Sequence, residues 1–435
     1  MAFRSFFVIL SAMIWAVAAN ASTLDTPAQL ERERTILQVL KQPDMRAAIA
    51  RVEALYAADP RAKTASGKAT IKRAAHAIGV QSIHYALMED TSRSDIIWTP
   101  HSRHKWHGMD VPNSGYGIEN PDNIYQVATV VGGGKYRLHG RWPKPGPVQF
   151  HVEVRDSLPG LGQMAVEGFR QLATLQSEQM TIAEDGGFVI HIDSDPAGDR
   201  GNHLAIPKEG VLQIGIRQLL TDWATQAPIA LRLERVDAQP MPMPRDYAVL
   251  AARSAAILDQ IAPYWLDYNN RYIYPRAANS IAPVRQRPGG RGLSSSGHYD
   301  LKANEALLIQ VDPLSALSFG IQVTDPWGVA YDYDENTSSL NTRQAKIDPQ
   351  GLITFMISAK DPGVANWLDA GGKSSGIVTL RWQGVPHSAP LDQAVRQVRI
   401  MDLAQLDPSL ARVTRQARFQ ERQKRRKDYQ VRLTH

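Results

Sequence analysis

Apolar residues recur at helical spacing in the first part of the chain. Ile36, Val39 and Leu40 form one such set, and similar sets continue to about residue 89. Spacings of three and four residues place these side chains on one face of a helix. We therefore predict a helical segment over residues 22–95, and a second helix over residues 245–268 inside a linker of residues 241–290.

Short runs of alternating or β-branched residues replace this pattern farther along the chain. They cover residues 124–131, 135–141, 148–154, 187–192, 212–216 and 229–235, and then 305–311, 318–324, 344–347, 352–357 and 376–382. Short strands bounded by Gly, Pro and Asp are typical of antiparallel sandwiches. The predicted fold class is mainly β, with two jelly-roll-like antiparallel β-sandwich units at residues 96–240 and 291–405. The helical segment precedes them, the helical linker joins them, and a basic C-terminal helix follows.

The N-terminus has the composition of a secretory signal peptide. Arg4 precedes an apolar run over residues 5–18, and Ala19-Asn20-Ala21 ends it. The run is too short for a membrane span, and no later stretch reaches the roughly 18 apolar residues that a span needs. We predict a signal peptide over residues 1–21 and a mature protein that is periplasmic or secreted and not transmembrane. The absence of cysteine excludes thiol chemistry and iron–sulfur clusters.

The formal net charge of +6 is concentrated at the C-terminus. Residues 411–435 carry nine Lys or Arg against Glu421 and Asp428, so the rest of the chain is close to neutral. Nucleic-acid binding would need a basic patch on the body of the protein, and no such partner is expected. The tail over residues 406–435 is interpreted as a terminal helix with a solvated basic face, or as a frayed end. A weak contact with an anionic envelope surface is the alternative.

The densest group of aromatic and polar residues lies in the second predicted sandwich, in and around residues 361–369. Aromatic rings stack on ring faces while amides and carboxylates bind hydroxyls, so the mixture suits a saccharide or a hydroxylated polycyclic ligand. The candidate ligand-binding residues are Trp327, Tyr333, Asn341, Gln344, Asn366, Trp367, Arg381 and Gln383. The acid and base of a hydrolase or lyase would come from the candidate catalytic carboxylates Asp325, Asp332, Asp361 and Asp369. The structural alternative is that Trp and Asn side chains in β-corners satisfy the hydrogen-bonding groups of one another and bind no ligand.

A further candidate pair lies in the first sandwich. Asp122 and Tyr125 follow Asn120-Pro121 where a loop enters a predicted strand. The two side chains could hold a ligand hydroxyl or take part in proton transfer. An Asx-turn that caps the amides of the loop is the alternative interpretation of the aspartate.

Several short motifs occur in an order that resembles an uncharacterised bacterial family. They include Asn120-Pro-Asp122 and Asp222-Trp223 in the first half, and Asp325-Pro-Trp327, Ser339-Leu-Asn341 and Arg381-Trp-Gln383 in the second. With these motifs the chain resembles the family called domain of unknown function 1214 (DUF1214), which is often paired with DUF1254. The resemblance covers residues 120–401. It implies a pair of jelly-roll-like sandwiches and no settled activity.

Two weak metal-site signals are also present. His101, His104 and His107 are three residues apart without the spacing or the glutamate of a helical zinc motif, and we interpret them as a solvated connector. Residues 193–199 alternate oxygen ligands but lack the distal glutamate of a calcium-binding hand, which favours an acidic turn. Phosphate-binding loops and nucleophile elbows are absent. The sequence predicts no metal and no cofactor.

Two function classes therefore remain. One is a hydrolase-like or lyase-like enzyme that acts on a saccharide or hydroxylated polycyclic compound through paired carboxylates. The other is a non-catalytic envelope binding or assembly module that uses the same aromatic and amide groups. Two carboxylates about 5–10 Å apart across a cleft beside Trp327 or Trp367 would favour the enzyme. Carboxylates bound to backbone amides in corners would favour the module.

Overall fold

The computed structural model describes residues 23–162, 164, 169–238, 245–287 and 292–434. The signal peptide predicted at residues 1–21 lies outside this described part of the chain. No helix among the described residues has both the length and the apolar composition needed to cross a membrane.

Four helices form one packed layer. They are α1 (Pro27–Val39), α2 (Pro43–Ala58), α3 (Ala65–Met88) and α4 (Tyr247–Tyr272). Thr26, Thr64 and Asp246 accept hydrogen bonds from first-turn amides, which fixes where α1, α3 and α4 begin. The apolar cluster of this layer extends to Val127 of the first sandwich and Trp327 of the second. The helix of the predicted linker is therefore an integral part of the layer.

The strands of the described residues divide into two groups on either side of α4. Before α4 lie β1 (Ile97–Trp98), β2 (His104–Trp106), β3 (Met109–Val111), β4 (Asn123–Val131), β5 (Tyr136–Arg141), β6 (Gln149–Arg155), β7 (Gln171–Gln176), β8 (Gly187–Asp193), β9 (His203–Ala205), β10 (Val211–Leu219) and β11 (Ala230–Arg235). After α4 lie β12 (Ser280–Ile281), β13 (Arg285–Gln286), β14 (Leu293–Asp300), β15 (Glu305–Val311), β16 (Ser318–Thr324), β17 (Ser339–Asn341), β18 (Ile353–Ser358), β19 (Trp367–Asp369), β20 (Ser375–Gln383) and β21 (Val395–Asp402). The strand predicted at residues 344–347 is wrong, because the chain turns there directly after β17.

Each group of strands forms two sheets that enclose a hydrophobic core, and β2 and β3 of the first group pair with each other in a separate two-stranded sheet. In the first group the sheet orders are β1-β4-β10-β6-β7 and β11-β5-β8-β9, and Phe150 and Ile190 lie in the shared core. In the second group the orders are β12-β14-β20-β16-β17, with β13 beside β14, and β19-β18-β15-β21, and the core contains Phe319 and Phe355. The predicted mainly β fold with two sandwiches is confirmed. Two parallel pairs, β8 with β9 and β18 with β19, depart from the antiparallel prediction. The jelly-roll connection stays a prediction.

The two sandwiches repeat one topology. The order β1-β4-β10-β6-β7 corresponds strand for strand to β12-β14-β20-β16-β17, and β11-β5-β8-β9 corresponds to β21-β15-β18-β19. Corresponding strands occur in the same order along the chain, and the single parallel pair recurs at the same place. Positions in one half can therefore be compared directly with their counterparts in the other.

The C-terminal helix α5 (Arg415–Thr434) is anchored by buried arginines. Arg418, Arg425 and Arg432 are seven residues apart, on one face of the helix, and all three are buried. Arg425 donates hydrogen bonds to the carbonyl oxygens of Tyr333 and Ser339 in the second sandwich, at 2.6 and 3.0 Å. Guanidinium groups make several such bonds in a fixed plane, so this face is bound firmly to the protein.

The same arginines also reach the first sandwich. Arg432 donates to the carbonyl oxygen of Asn123 at 2.8 Å, and Trp223 packs against Arg425 and Arg432 at 4.7 and 5.0 Å from its ring. The interpretation of the tail as solvated or frayed is therefore wrong for this face, although the predicted helix is present. Arg415 and Phe419 remain exposed on α5, and contact of the exposed face with an anionic surface stays a prediction.

Candidate functional site

Three of the four candidate catalytic carboxylates cap backbone amides in tight corners. Asp325 accepts hydrogen bonds from the backbone amides of Trp327 and Val329. Asp361 accepts one from the amide of Gly363, and Asp369 accepts one from the amide of Gly371. All four bonds are 2.8–3.0 Å long. The fourth, Asp332, lies 3.7 Å from the guanidinium of Arg73. Asx-turns of this kind fix loop geometry. This is the arrangement that favours a module over an enzyme.

The two tryptophans proposed as stacking platforms are covered by other side chains. Trp327 is 4 % exposed and stacks on Tyr56 with ring centroids 4.7 Å apart. Trp367 is 3 % exposed, and the guanidinium groups of Arg418 and Arg422 lie 5.3 and 5.6 Å from its ring. Both rings therefore have protein partners where a ligand was expected.

Asp122 and Asn341, predicted in different sandwiches, meet in one buried junction. Asp122 Oδ1 accepts hydrogen bonds from Trp223 Nε1 at 3.0 Å and from Asn341 Nδ2 at 2.8 Å. Asn341 Nδ2 also donates to the carbonyl oxygen of Thr221 at 3.0 Å, and the amide of Asn341 donates to the Gln344 side chain. Asp122 and Asn341 join the sandwiches because each satisfies a buried polar group of the other, and Gln344 binds Asn341 within the second sandwich.

Asn366 has an equivalent in the first sandwich. Asn366 precedes β19, and its side chain binds both backbone groups of Lys346 at 2.7 Å. Asn202 precedes β9, and its side chain binds both backbone groups of Thr181 at 2.8 Å. The same bonds at the same corner of both halves show that this asparagine is part of the repeated fold.

The remaining predicted residues separate into two groups. Tyr333 donates to Glu119 at 3.3 Å, and Gln383 donates to Gln149 at 3.4 Å across the two sandwiches. Tyr125 and Arg381, in contrast, line a cavity that none of the other predicted residues lines.

Two of the three histidines of the motif, His101 and His104, are buried, which corrects the interpretation as a solvated connector for them, while His107 is exposed beside Asp25. His101 and His104 are 2 % and 3 % exposed, and His101 Nε2 lies 3.3 Å from His84 Nε2. His104 contacts Glu33 at 3.2 Å. Burial lowers the pKa of His84 and His101, so both rings are neutral at pH 7. Within the described ranges, no group of three or more His, Asp or Glu side chains is arranged to hold a metal ion.

A cavity of about 500 Å³ lies between the polar faces of the two sandwiches. Strand alternation explains those faces: Val152 and Ile214 point into the first core, so Glu153 and Gly215 face the opposite way. The first sandwich lines the cavity with Tyr125, Glu153, Arg155 and Arg217, and the second with Ser294, Ser296, Thr379 and Arg381. The helices and the loop before β4 add Tyr85, Tyr116, Glu119, Trp265 and Tyr268.

The cavity combines an aromatic wall with polar groups that lack partners. Tyr116 packs against Trp265 with ring centroids 5.3 Å apart. Trp265 Nε1, Thr379 Oγ1 and Glu119 Oε2 are buried and make no hydrogen bond with any residue in the described ranges. Buried polar atoms are normally satisfied, so unpaired atoms in cavity-lining residues are typical of a binding site.

The sequence interpretation missed most of these residues. Glu119, Glu153, Arg217 and Trp265 belong to three different segments, and only the fold brings them together. One signal was present: Arg217 lies in β10 and Arg381 in β20, and each faces away from the core to which the alternate residues of its strand belong. Matching the two strands would have identified the pair.

The protonation of Glu119 tests whether its carboxyl is buried away from water in the cavity wall. Burial raises the pKa of its carboxyl from 4.5 to about 7, so native Glu119 holds its proton more tightly than unfolded Glu119. Its contribution to stability is complete below pH 4.5 and is lost as the pH rises through about 7. A shift of this size corresponds to at most about 3 kcal/mol above pH 7.

As the pH rises from 5.5 to 8.5, the natural chain should lose stability that the Glu119→Gln variant keeps. We expect the free energy of unfolding of the variant, relative to that of the natural chain, to increase by about 1–3 kcal/mol over this range. Gln keeps an acceptor for Tyr333 and does not ionise. Urea unfolding of both proteins at pH 5.5 and pH 8.5 measures this increase. Groups that titrate in both proteins contribute equally to each and cancel in the difference. A difference between the two chains that stays constant with pH would contradict the buried carboxyl.

Comparison with known proteins supports the fold. No family model and no curated protein matches the chain. A crystal structure from Burkholderia cenocepacia, described as an uncharacterised protein, is similar over 86 % of this chain and 100 % of its own, with 24 % identity and a TM-score of 0.66. The VPA0106 protein from Vibrio parahaemolyticus matches over 66 % of this chain and 90 % of its own, with 9 % identity and a TM-score of 0.38. The DUF1214 resemblance stays a prediction, and the likeness to the Burkholderia protein establishes that this chain shares its fold.

Proposed function

We propose that the protein is a non-catalytic module that binds a hydroxylated aromatic or polycyclic small molecule between its two sandwiches. The observation that carries this proposal is the cavity of about 500 Å³ with an aromatic wall and unpaired polar atoms. Its volume lies within the roughly 300–1,000 Å³ of small-molecule sites. This keeps the hydroxylated polycyclic compounds of the sequence prediction, adds smaller hydroxylated aromatic compounds, leaves out the saccharides, and moves the site to a different face of the second sandwich.

The chemistry of the lining supports this ligand class. Tyr116, Trp265 and Tyr268 offer rings against which a flat ligand can pack. A ligand hydroxyl can accept from the Trp265 indole and donate to the Thr379 hydroxyl, and neither atom has a partner within the described residues. A ligand with an apolar body and polar edges therefore complements the wall better than a fully polar sugar does.

The arrangement of the carboxylates supports binding without hydrolysis. The four candidate catalytic aspartates cap corners or pair with arginine, and none lines the cavity. Two carboxyl groups line the cavity, and both are held by other side chains of the protein. Glu119 accepts from Tyr333 at 3.3 Å, and Glu153 is shared by Arg155 at 2.9 Å and Arg217 at 3.1 Å. A general acid and base would need two carboxyl groups that face the same substrate bond. With the signal-peptide composition of residues 1–21, we place this module in the cell envelope or outside the cell.

We expect one-ring to three-ring hydroxylated aromatic compounds to raise the melting temperature of the protein in a thermal-shift screen. Ligands that bind the folded state alone stabilise it by mass action, by about 2.7 kcal/mol at a hundred times Kd. Linear glycans of four or more sugars serve as the negative set, because they offer no flat aromatic ring to the wall. Stabilisation by the glycans without any by the aromatic compounds would contradict the proposal.

A further inference from the structure

Arg217 and Arg381 occupy equivalent positions in the two halves of the protein. Arg217 pairs in register with Tyr125 on β4, and Arg381 pairs with Ser294 on β14, the strand equivalent to β4. The neighbouring strand on the other side gives the same match. Arg217 pairs with His151 on β6, and Arg381 pairs with the residue of β16 that is equivalent to His151. Both arginines line the cavity. The repeat therefore contributes one arginine from each side.

The partners of these two arginines differ in charge. Arg217 Nη2 lies 3.1 Å from the carboxylate of Glu153. At the equivalent place in the second half stands Gln322, and Arg381 Nη1 donates to its amide oxygen at 3.1 Å. The distance is conserved between the halves while the carboxylate is replaced by a neutral amide. Arg217 thus has a carboxylate beside it, which it shares with Arg155, whereas the equivalent neighbour of Arg381 carries no charge.

Arg381 is also deeply buried. It is 9 % exposed, and its other hydrogen bond is donated to the neutral carbonyl oxygen of Ile118. It forms no ion pair within 4.0 Å with a carboxylate of the described residues. Burial lowers the pKa of the guanidinium, which reflects the cost of holding this charge away from water. The carboxyls of Glu119 and Asp122 oppose this lowering of the pKa, but neither forms an ion pair with Arg381. A buried cation without a directly paired anion is costly, so the site can accept an anion from outside the chain.

The groups around Arg381 suit a carboxylate in particular. Ser294 is its cross-strand neighbour, while Thr379 and Ser296 form the next pair on the same face, and all line the cavity. Cross-strand side chains lie about 5 Å apart, close enough to act on one small group. A guanidinium binds a carboxylate through two parallel hydrogen bonds, and hydroxyls can donate to the oxygens.

We infer that the ligand is an aromatic carboxylate whose acid group pairs with Arg381 while its ring packs on the aromatic wall. This inference rests on the proposed function and adds the charge of the ligand. It also assigns different roles to the two equivalent arginines, because Arg217 already has Glu153 as its partner.

Calorimetric titration with matched ligands tests the inference. The probes are 2-naphthoate and 2-naphthalenemethanol, which share a ring system and differ in charge. We expect the acid to bind the natural chain at least tenfold more tightly than the alcohol. Equal binding of both would overturn the carboxylate inference and leave the proposed function standing. Binding of neither would overturn the proposed function and the inference with it.

Gln322→Glu gives the sharpest variant, because it copies the pairing that the first half already has. The new carboxylate should occupy Arg381 and weaken 2-naphthoate binding by about tenfold or more, with little effect on the alcohol. Gln350→Glu adds the same charge in an exposed turn and serves as the matched control, with binding unchanged. Circular dichroism and the melting temperature establish that both variants fold. Equal weakening of acid and alcohol by Gln322→Glu, or unchanged binding of the acid, would overturn the role of Arg381.

Discussion

Replacing Trp327 by alanine is expected to lower the free energy of unfolding by about 4 kcal/mol. The indole is 4 % exposed and lies flat on Tyr56, with an angle of 3° between the rings. Its Nε1 donates to the carbonyl oxygen of Gly67 at 3.2 Å, and the Arg61 guanidinium lies 4.9 Å from the ring. The substitution therefore removes a contact that joins the second sandwich to the helical layer.

Urea unfolding followed by far-ultraviolet circular dichroism measures this loss. Phe419→Ala removes an aromatic ring that is 56 % exposed on α5, and we expect it to change stability by less than about 0.5 kcal/mol. A loss below about 1 kcal/mol at Trp327 would mean that the ring is free for a ligand, as the sequence interpretation had it. The unfolding must also be cooperative in both variants for the comparison to hold.

Asn341→Ala is expected to cost about 3–5 kcal/mol, since it removes four hydrogen bonds in a buried junction. The side chain donates to Asp122 and to the carbonyl oxygen of Thr221, and it accepts from the amides of Arg343 and Gln344. Loss of the donor leaves the buried Asp122 carboxyl with Trp223 as its side-chain partner. Burial already raises the pKa of Asp122, so weaker hydrogen bonding adds to the cost of its charge.

The matched control is Asn304→Ala at an exposed asparagine, which donates to Asp402 at 3.2 Å. Exposed hydrogen bonds exchange with water, and we expect a loss below about 1 kcal/mol there. Differential scanning calorimetry of both variants gives the comparison. Similar losses at the two positions would mean that the junction between the sandwiches does not contribute to stability.

The secondary structure was largely predictable because it depends on local spacing. Residues such as Ile36 and Val39 recur at helical intervals, and strands such as β4 and β15 alternate or carry β-branched side chains. The strand predicted at residues 344–347 failed because a local hydrogen-bonded turn overrides the strand pattern there. There the side chain of Asn341 binds the amides of Arg343 and Gln344 and turns the chain.

The candidate site was less predictable from the sequence. A polar side chain needs a hydrogen-bond partner when it is buried, but the sequence does not show whether that partner is a ligand or another part of the protein. Asp369 and Asn366 did need hydrogen bonds, and the corners of the fold supply them. The spacing of Arg418, Arg425 and Arg432 was visible, yet nothing local shows that carbonyl oxygens and Trp223 would bury them. The cavity forms where a sheet of the first sandwich faces the equivalent sheet of the second. Short sequence motifs do not show that these two sheets face each other.

The location of the site is tested most directly by titrating the strongest compound of the thermal-shift screen into two variants. Ser296→Phe places a ring in the cavity, at a half-buried serine of β14. Asp369→Asn alters the corner that the sequence interpretation favoured, beside Trp367. We expect binding to be lost in Ser296→Phe and kept in Asp369→Asn, with both variants folded. Binding that survives in Ser296→Phe and is lost in Asp369→Asn would contradict a site between the sandwiches.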